Sequence, residues 1–170
     1  IMEDKIGEKN IRLSGIAVGD KIGQGKVQKM YSLDGRDGSF DGSNFNEGDV
    51  LVTEMTDPDW EPIMKKASAI ITNKGGRTCH AAIVAREMGV PAIVGTENGT
   101  ETLFNGDQIT VSCAEGDEGK VYEGIIPFKL KKTKLDKLPK TKTPIMLNVA
   151  SPDLAFKFAQ IPNAGVGLAR

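Results

Sequence analysis

The chain has 170 residues, a formal net charge of −1, 26% charged residues, one histidine and two cysteines. That length holds one good core and the beginning of a second unit. Near-neutral charge provides no basic field for nucleic acid or an anionic membrane, so the expected partner is a small molecule or another domain. Two cysteines make no disulfide framework, and with no leader-like or long apolar span the expected setting is a reducing cytoplasm.

Residues 1 to about 12 are charged and mixed and read as the tail of a preceding element. From Ile16 to Tyr31, β-branched residues and glycines alternate with polar ones, predicting one or two strands. Asp34 to Gly48, rich in Gly, Asp, Ser and Asn, predicts a loop, and Val50 to Thr53 a short apolar strand. Asp57-Pro58-Asp59 offers a cap and a proline for a helix carrying Trp60, Ile63, Met64 and Ala67, with Trp60 expected in the core. Ala69 to Thr72 returns to strand. The next helix is expected to start at Thr78 or Cys79 and stop at Gly89, with Pro91 blocking continuation. Beyond it come a strand at Ala92 to Gly95, a short helix at Thr100 to Phe104, a turn at Asn105-Gly106-Asp107, and strands at Gln108 to Cys113 and Lys120 to Tyr122. This order predicts an α/β domain with mixed strand pairing. Between Pro127 and Pro144, Lys129, Lys131, Lys132, Lys134, Lys137, Lys140 and Lys142 face Asp136 alone, the pattern of an extended, self-repelling linker. A strand at Pro144 to Ala150, a helix from Ser151-Pro152-Asp153 and a strand at Gly165 to Leu168 are expected after it.

His80 sits in Gly75-Gly76-Arg77-Thr78-Cys79-His80-Ala81-Ala82-Ile83-Val84-Ala85-Arg86. Two glycines let the backbone turn tightly and approach a ligand, Thr78 is the expected helix cap, and the alanines allow close packing. The imidazole then lies at a helix N-terminus, where free N–H groups and the helix dipole favour a negative group. With a reference pKa of about 6.5, imidazole keeps a neutral nitrogen nucleophile available, so His80 can accept and pass on a phosphoryl group. Thr78 can also bond that group or orient the ring. Arg86, six residues after His80, is expected on the far side of the helix in a salt bridge or a domain-docking contact. Cys79, His80 and the distant Cys113 lack zinc-ligand spacing, so no metal is expected on this chain. No Gly-x-x-x-x-Gly-Lys-[Ser/Thr] loop or dinucleotide fingerprint occurs. A phosphoryl carrier without a nucleotide pocket must visit one on another domain.

The run from Gly75 to Arg86 resembles, position by position, the phosphohistidine signature of the PEP-utilising enzymes. The likeness continues through Val50 to Trp60 upstream and through Glu87 to Gly95 and Val111 to Gly116 downstream. Thr78-Cys79-His80 is similar to the branch that makes phosphoenolpyruvate with water as co-substrate, whereas pyruvate phosphate dikinase and the phosphotransferase-system Enzyme I usually carry Thr-Ser-His. The resemblance implies a swivelling β/β/α phosphohistidine domain over residues 12–126, a linker at 1–11, a lysine-rich linker at 127–143, and the first βα elements of an incomplete TIM-type barrel at 144–170. It implies His80 as a tele-phosphohistidine, supported by Gly75, Gly76 and Thr78. In some members the equivalent of Thr78 is also a target of regulatory phosphorylation. It further implies ATP and Mg2+ for the full enzyme, an ATP-grasp domain and a PEP/pyruvate barrel as partners, ATP and pyruvate as substrates, and a homo-oligomer. The alternatives are the equivalent domain of pyruvate phosphate dikinase, Enzyme I or an antibiotic phosphotransferase, and, in another class, a non-catalytic binding domain of the same fold.

Overall fold

Alternating side chains in short strands build a barrel with two separate apolar layers. The computed structural model describes residues 10–31, 45–129, 141–149, 155 and 159–169. The expected tail at 1–9, most of the loop expected at 34–48, the linker centre at 130–140 and nearly all of the helix expected after Ser151 lie outside the described residues. The chain divides into two compact units, Ile1–Lys129 and Leu130–Arg170.

In the first unit the strands are β1 (Ile11–Val18), β2 (Ile22–Lys29), β3 (Val50–Thr53), β4 (Ala69–Thr72), β5 (Ala92–Val94), β6 (Gln108–Ser112) and β7 (Glu118–Glu123). They close in the order β1-β5-β4-β3-β2-β6-β7. Strands β2 to β5 pair parallel, whereas β1 and β7 pair antiparallel with their neighbours and β6 does so with β2 and β7. Because side chains alternate across a strand, Val50 and Val52, Ile71, and Ile93 point into the barrel with Ile109 and Val121. Leu51, Ile70 and Val94 point outward into a second cluster with Trp60, Met64, Ala82 and Ala85. Fully burying one such branched side chain contributes about 1.5–3 kcal/mol. The barrel is narrow: a Cβ on Gly119 would lie 2.6 Å from Ile93 Cγ1.

The outer layer holds α1 (Glu61–Met64), preceded by a 3-10 turn at Pro58–Trp60, and α2 (His80–Met88). The helix expected from Pro58 onward is therefore split and short. Asp57 makes no side-chain cap bond, and Trp60 is buried in the core as expected. β1 starts at Ile11, earlier than the alternation from Ile16 suggests. A short α3 (Gly99–Thr102) lies between β5 and β6. It is tied down by Asn73 Nδ2 to Thr100 Oγ1 at 2.6 Å, Lys29 Nζ to the Thr100 carbonyl at 3.2 Å and Arg12 Nη2 to the Thr102 carbonyl at 2.8 Å. Leu103, which follows it, is fully buried in the barrel interior.

The second unit contains β8 (Leu147–Val149) and β9 (Val166–Ala169), a parallel pair joined at Leu147↔Val166. Among the described residues no helix is long and apolar enough to cross a membrane.

Candidate active site

The parallel run of β3, β4 and β5 brings three loops out at one rim of the barrel, and His80 is built from two of them. After β4, the loop is fixed to the loop after β3 by backbone bonds from Asn73 N–H to the Thr53 carbonyl and from Lys74 N–H to the Glu54 carbonyl, both 3.0 Å. Lys74 Nζ also meets Glu54 Oε1 at 2.6 Å. Gly75 then takes φ +118°, a conformation L side chains avoid, and a Cβ there would lie 2.8 Å from Cys79 Sγ. A turn from Cys79 N–H to the Gly76 carbonyl, 3.1 Å, brings the chain into α2.

The cap of α2 is Cys79, not Thr78. Cys79 is extended at φ −69° and ψ 161° and makes no side-chain cap bond to the first-turn amides. The turn at Gly76–Cys79 sets Thr78 one residue too early, and its side chain is exposed. The helix therefore begins at His80 with N–H groups that no side chain satisfies among the described residues, at the positive end of its dipole. It stops as expected at Gly89, which is left-handed at φ 67°.

His80 Nδ1 lies 3.0 Å from Thr56 Oγ1. Thr56 is only 6% exposed. Whichever atom donates, Nδ1 is occupied, and the tautomer with Nδ1–H donating to Thr56 leaves a lone pair on Nε2. Nε2 has no hydrogen-bond partner among the described residues. Among the described residues Arg86 enters no salt bridge. Its Nη1 instead donates to the Arg77 carbonyl at 2.7 Å, so the last turn of α2 folds back onto the loop before its own first turn. Arg77 Nη2 in turn meets Asp117 Oδ1 at 3.1 Å.

Of the residues singled out in the sequence, Gly75, Gly76, Thr78 and His80 thus form one loop and helix start, and Arg86 reaches it through the Arg77 carbonyl. Thr56 carries no signal of its own. It is a hydroxyl residue just past an apolar strand, and only the parallel pairing of β3 with β4 brings it to His80. Cys79 and Cys113 are free thiols. Cys113 Sγ donates to the Ala92 carbonyl at 3.2 Å, and burial pushes its thiol pKa up. Among the described residues no group of three His, Cys, Asp or Glu side chains could hold a metal ion.

A glycine-turned loop here opens into a helix whose first residue is a histidine, with Nδ1 held by Thr56 and Nε2 unbonded among the described residues. Residues 45–116 match the family model "PEP-utilising enzyme, mobile domain", and this part of the chain belongs to that family. The chain is 57% identical over 164 residues to the phosphoenolpyruvate synthase of Deinococcus radiodurans, covering 96% of this chain and 20% of that protein. It is 55% identical over 163 residues to the phosphoenolpyruvate synthase of Aquifex aeolicus, covering 96% of this chain and 18% of that one. The chain thus spans only a fifth or less of the length of these curated relatives. Among solved structures, an NMR solution structure of Enzyme I aligns with a TM-score of 0.41 and 33% identity, covering 48% of this chain and 34% of that one.

Proposed function

We propose that this chain is the phosphohistidine carrier of a phosphoenolpyruvate synthase, with His80 as the phosphoryl acceptor. The observation that carries the reading is the ring's setting: Nδ1 held by Thr56, Nε2 unbonded, at a helix start with uncapped amides. In this reading residues 12–126 are the carrier domain, 1–11 and 127–143 are linkers, and 144–170 begin a PEP/pyruvate-binding barrel.

The chemistry divides into two visits. At an ATP-grasp domain the Nε2 lone pair attacks the β-phosphorus of ATP, a P–N bond forms, and the bond to AMP breaks. Water then removes the γ-phosphoryl group as phosphate and leaves phospho-His80. At the barrel the enolate oxygen of pyruvate attacks phosphorus, the P–N bond breaks, and its electron pair returns to Nε2. The sum is ATP, pyruvate and water giving AMP, phosphoenolpyruvate and phosphate, the gluconeogenic direction. The first-turn N–H groups of α2 stabilise the phosphoryl oxygens, and the ring nitrogen must come within about 3–3.5 Å of each reacting atom. One fixed ring cannot serve two sites, which is why the domain swivels in this reading. Mg2+ supplies charge neutralisation to the phosphates when bound. Among the described residues no group of three His, Cys, Asp or Glu side chains could hold it, and in this reading its ligands belong to the partner domains. Phosphorylation of exposed Thr78 would set a charge of about −1.5 to −2 beside His80 and repel an incoming phosphoryl group. The enzyme is assigned to the cytoplasm, as a homo-oligomer.

The test is acid-labile, alkali-stable phosphate analysis of the full polypeptide after ATP and Mg2+, with His80→Ala as control. A label that is absent in the variant and chased by pyruvate is the expected result. Dependence on inorganic phosphate in place of water would move the protein to the dikinases, and labelling from PEP but not from ATP to Enzyme I. No label under turnover conditions would leave a binding domain of the same fold.

A further inference from the structure

Asn73, the first residue past β4, has a partner for each of its four polar groups. Its N–H donates to the Thr53 carbonyl in the loop after β3 at 3.0 Å, and its carbonyl accepts the Glu97 N–H in the loop after β5 at 2.9 Å. Its side-chain amide closes a two-bond fork on Thr100: Nδ2 donates to Thr100 Oγ1 at 2.6 Å, and Oδ1 accepts the Thr100 N–H at 3.0 Å. Asn98, at the head of α3, makes no side-chain cap bond. Asn73 therefore caps α3 from another strand, satisfying one of the amides that a helix start leaves open. Gly99 lets α3 come this close, since a Cβ there would lie 2.8 Å from Thr96 Oγ1 and 3.2 Å from Asn73 Oδ1. Glu97, whose amide meets Asn73, takes φ 66° and is the only non-glycine residue with a positive φ among the described residues. Such a conformation persists where the surrounding structure over-determines it.

The same residue opens the run that ends at His80. After it, Lys74 gives its carbonyl to Thr72 Oγ1 at 2.7 Å, and the Gly75 carbonyl packs so closely on Gly95 that a Cβ on Gly95 would stand 2.9 Å from it. We propose that the fork between Asn73 and Thr100 is a positioning device for His80, setting the path on which the β4 loop leaves the barrel and so where the ring is presented. Thr56 holds the ring itself at Nδ1; Asn73 holds the start of the loop that carries it. Asn73 is a positioning residue, acting through the backbone of residues 74–79. An asparagine suits the fork because one planar group offers both a donor and an acceptor. Aspartate can complete it as well, with the Thr100 hydroxyl donating to the second oxygen, whereas leucine of similar size matches neither partner. Transfer chemistry is sensitive to such a device, since a misplacement of about 1 Å can cost about a hundredfold in rate. This proposal rests on His80 being the phosphoryl carrier.

The experiment follows labelling of His80 from ATP in the full polypeptide, at a temperature where the variants are folded, together with amide hydrogen exchange. Asn73→Leu should slow labelling at saturating ATP by about tenfold. The KM for ATP should stay within about twofold, because the nucleotide sits on a partner domain in this reading. Exchange should quicken at residues 74–80 and in α3 but not in the barrel strands. A residue that only stabilised the fold would lower the melting temperature and leave the rate of the folded protein unchanged. Asn73→Asp, which can rebuild both bonds, should label within about twofold of wild type. Thr100→Val keeps the N–H bond and loses the hydroxyl, so its rate should fall between, and Thr100→Ser should restore it. These two variants carry the comparison if Asn73→Leu does not fold. A wild-type rate in folded Asn73→Leu or in Thr100→Val overturns the proposal, and so does an Asn73→Asp protein as slow as Asn73→Leu. Label retained in His80→Ala would instead defeat the carrier reading, and exchange at residues 74–80 would still decide whether the fork holds the loop.

Discussion

Thr56 and His80 meet across the loops that leave β3 and β4, the threonine hydroxyl oxygen 3.0 Å from the imidazole Nδ1. That contact occupies Nδ1, and in the tautomer with Nδ1–H donating to Thr56 it leaves the lone pair on Nε2. A neutral imidazole has one N–H and one lone pair, and the hydrogen bond at one nitrogen sets the state of the other. Thr56→Val keeps the shape of the buried side chain and removes the hydroxyl. Labelling of His80 should slow by about tenfold, equivalent to about 1.4 kcal/mol. Stability should fall by only about 1 kcal/mol, the net worth of one hydrogen bond. Thr56→Ser should restore the rate. Imidazole nitrogen chemical shifts check the cause: the variant should show a mixture of tautomers where wild type shows one.

The paired glycines before the histidine have separable duties. Gly75 holds φ +118° with Cys79 Sγ 2.8 Å from where a Cβ would stand, whereas Gly76 has open space around it and no left-handed φ. Gly75→Ala should therefore cost about 1–3 kcal/mol in denaturant unfolding, since strained backbone adds to a side-chain clash. Gly76→Ala should leave stability within about 0.5 kcal/mol. If the bare backbone at Gly76 serves the close approach of a nucleotide or PEP, transfer through His80 in the full polypeptide should still fall. Normal transfer in Gly76→Ala would limit its role to the turn.

The local elements were readable where chemistry is punctuated sharply. Val50–Thr53 and Ala69–Thr72 are unbroken apolar runs bounded by turn residues, and their predicted limits match β3 and β4. Gly89 and Pro91 marked the end of α2 just as clearly. Ile11-Arg12-Leu13-Ser14 hides the start of β1 because charged residues surround it, and its partners, at Tyr122 and Val121, lie at the far end of the domain. Barrel closure rests on such distant pairings, which no local pattern encodes. His80 stood out through its own loop. Thr56 did not, because its only link to the ring is spatial, and Thr78 looked like a cap because a turn at Gly76–Cys79 cannot be told from a helix start one residue earlier.

Arg86 ties the end of α2 to the loop before it, with Nη1 on the Arg77 carbonyl at 2.7 Å. The side chain is exposed, so its loss should change global stability by no more than about 1 kcal/mol. The effect should be local. In Arg86→Gln, amide hydrogen exchange should quicken at residues 76–80 and stay unchanged in the barrel strands. Arg86→Lys, which can still donate one bond to that carbonyl, should recover most of the protection. Uniform quickening across the barrel would show that Arg86 supports the whole fold instead of the loop.

At the turn between β6 and β7, Tyr122 donates its hydroxyl to Glu115, 2.9 Å from Oε2 and 3.0 Å from Oε1, while Lys120 Nζ lies 3.3 Å from Oε2. Burial, followed by the adjacent carboxylate, pushes the Tyr122 pKa from 10.0 up to about 12. Partial burial acts to raise the Glu115 pKa, but the polar side chains beside it, Ser112 first and then Tyr122 and Lys120, outweigh it and leave the carboxyl below its ordinary 4.5. The two groups act on stability at opposite ends of the pH scale. The neutral phenol contributes fully below pH 10.0, and its contribution is lost as pH rises towards about 12. The carboxylate contributes above 4.5, and its contribution is lost as pH falls through that value to its lower folded pKa. Glu115→Gln should accordingly bring the Tyr122 phenolate absorbance step down towards 10.0 but not all the way, because burial, the larger cause, remains. The same variant should lose less stability than wild type when denaturant unfolding is compared between about pH 7 and pH 3. An unmoved phenolate step in Glu115→Gln would mean that burial alone holds the Tyr122 proton.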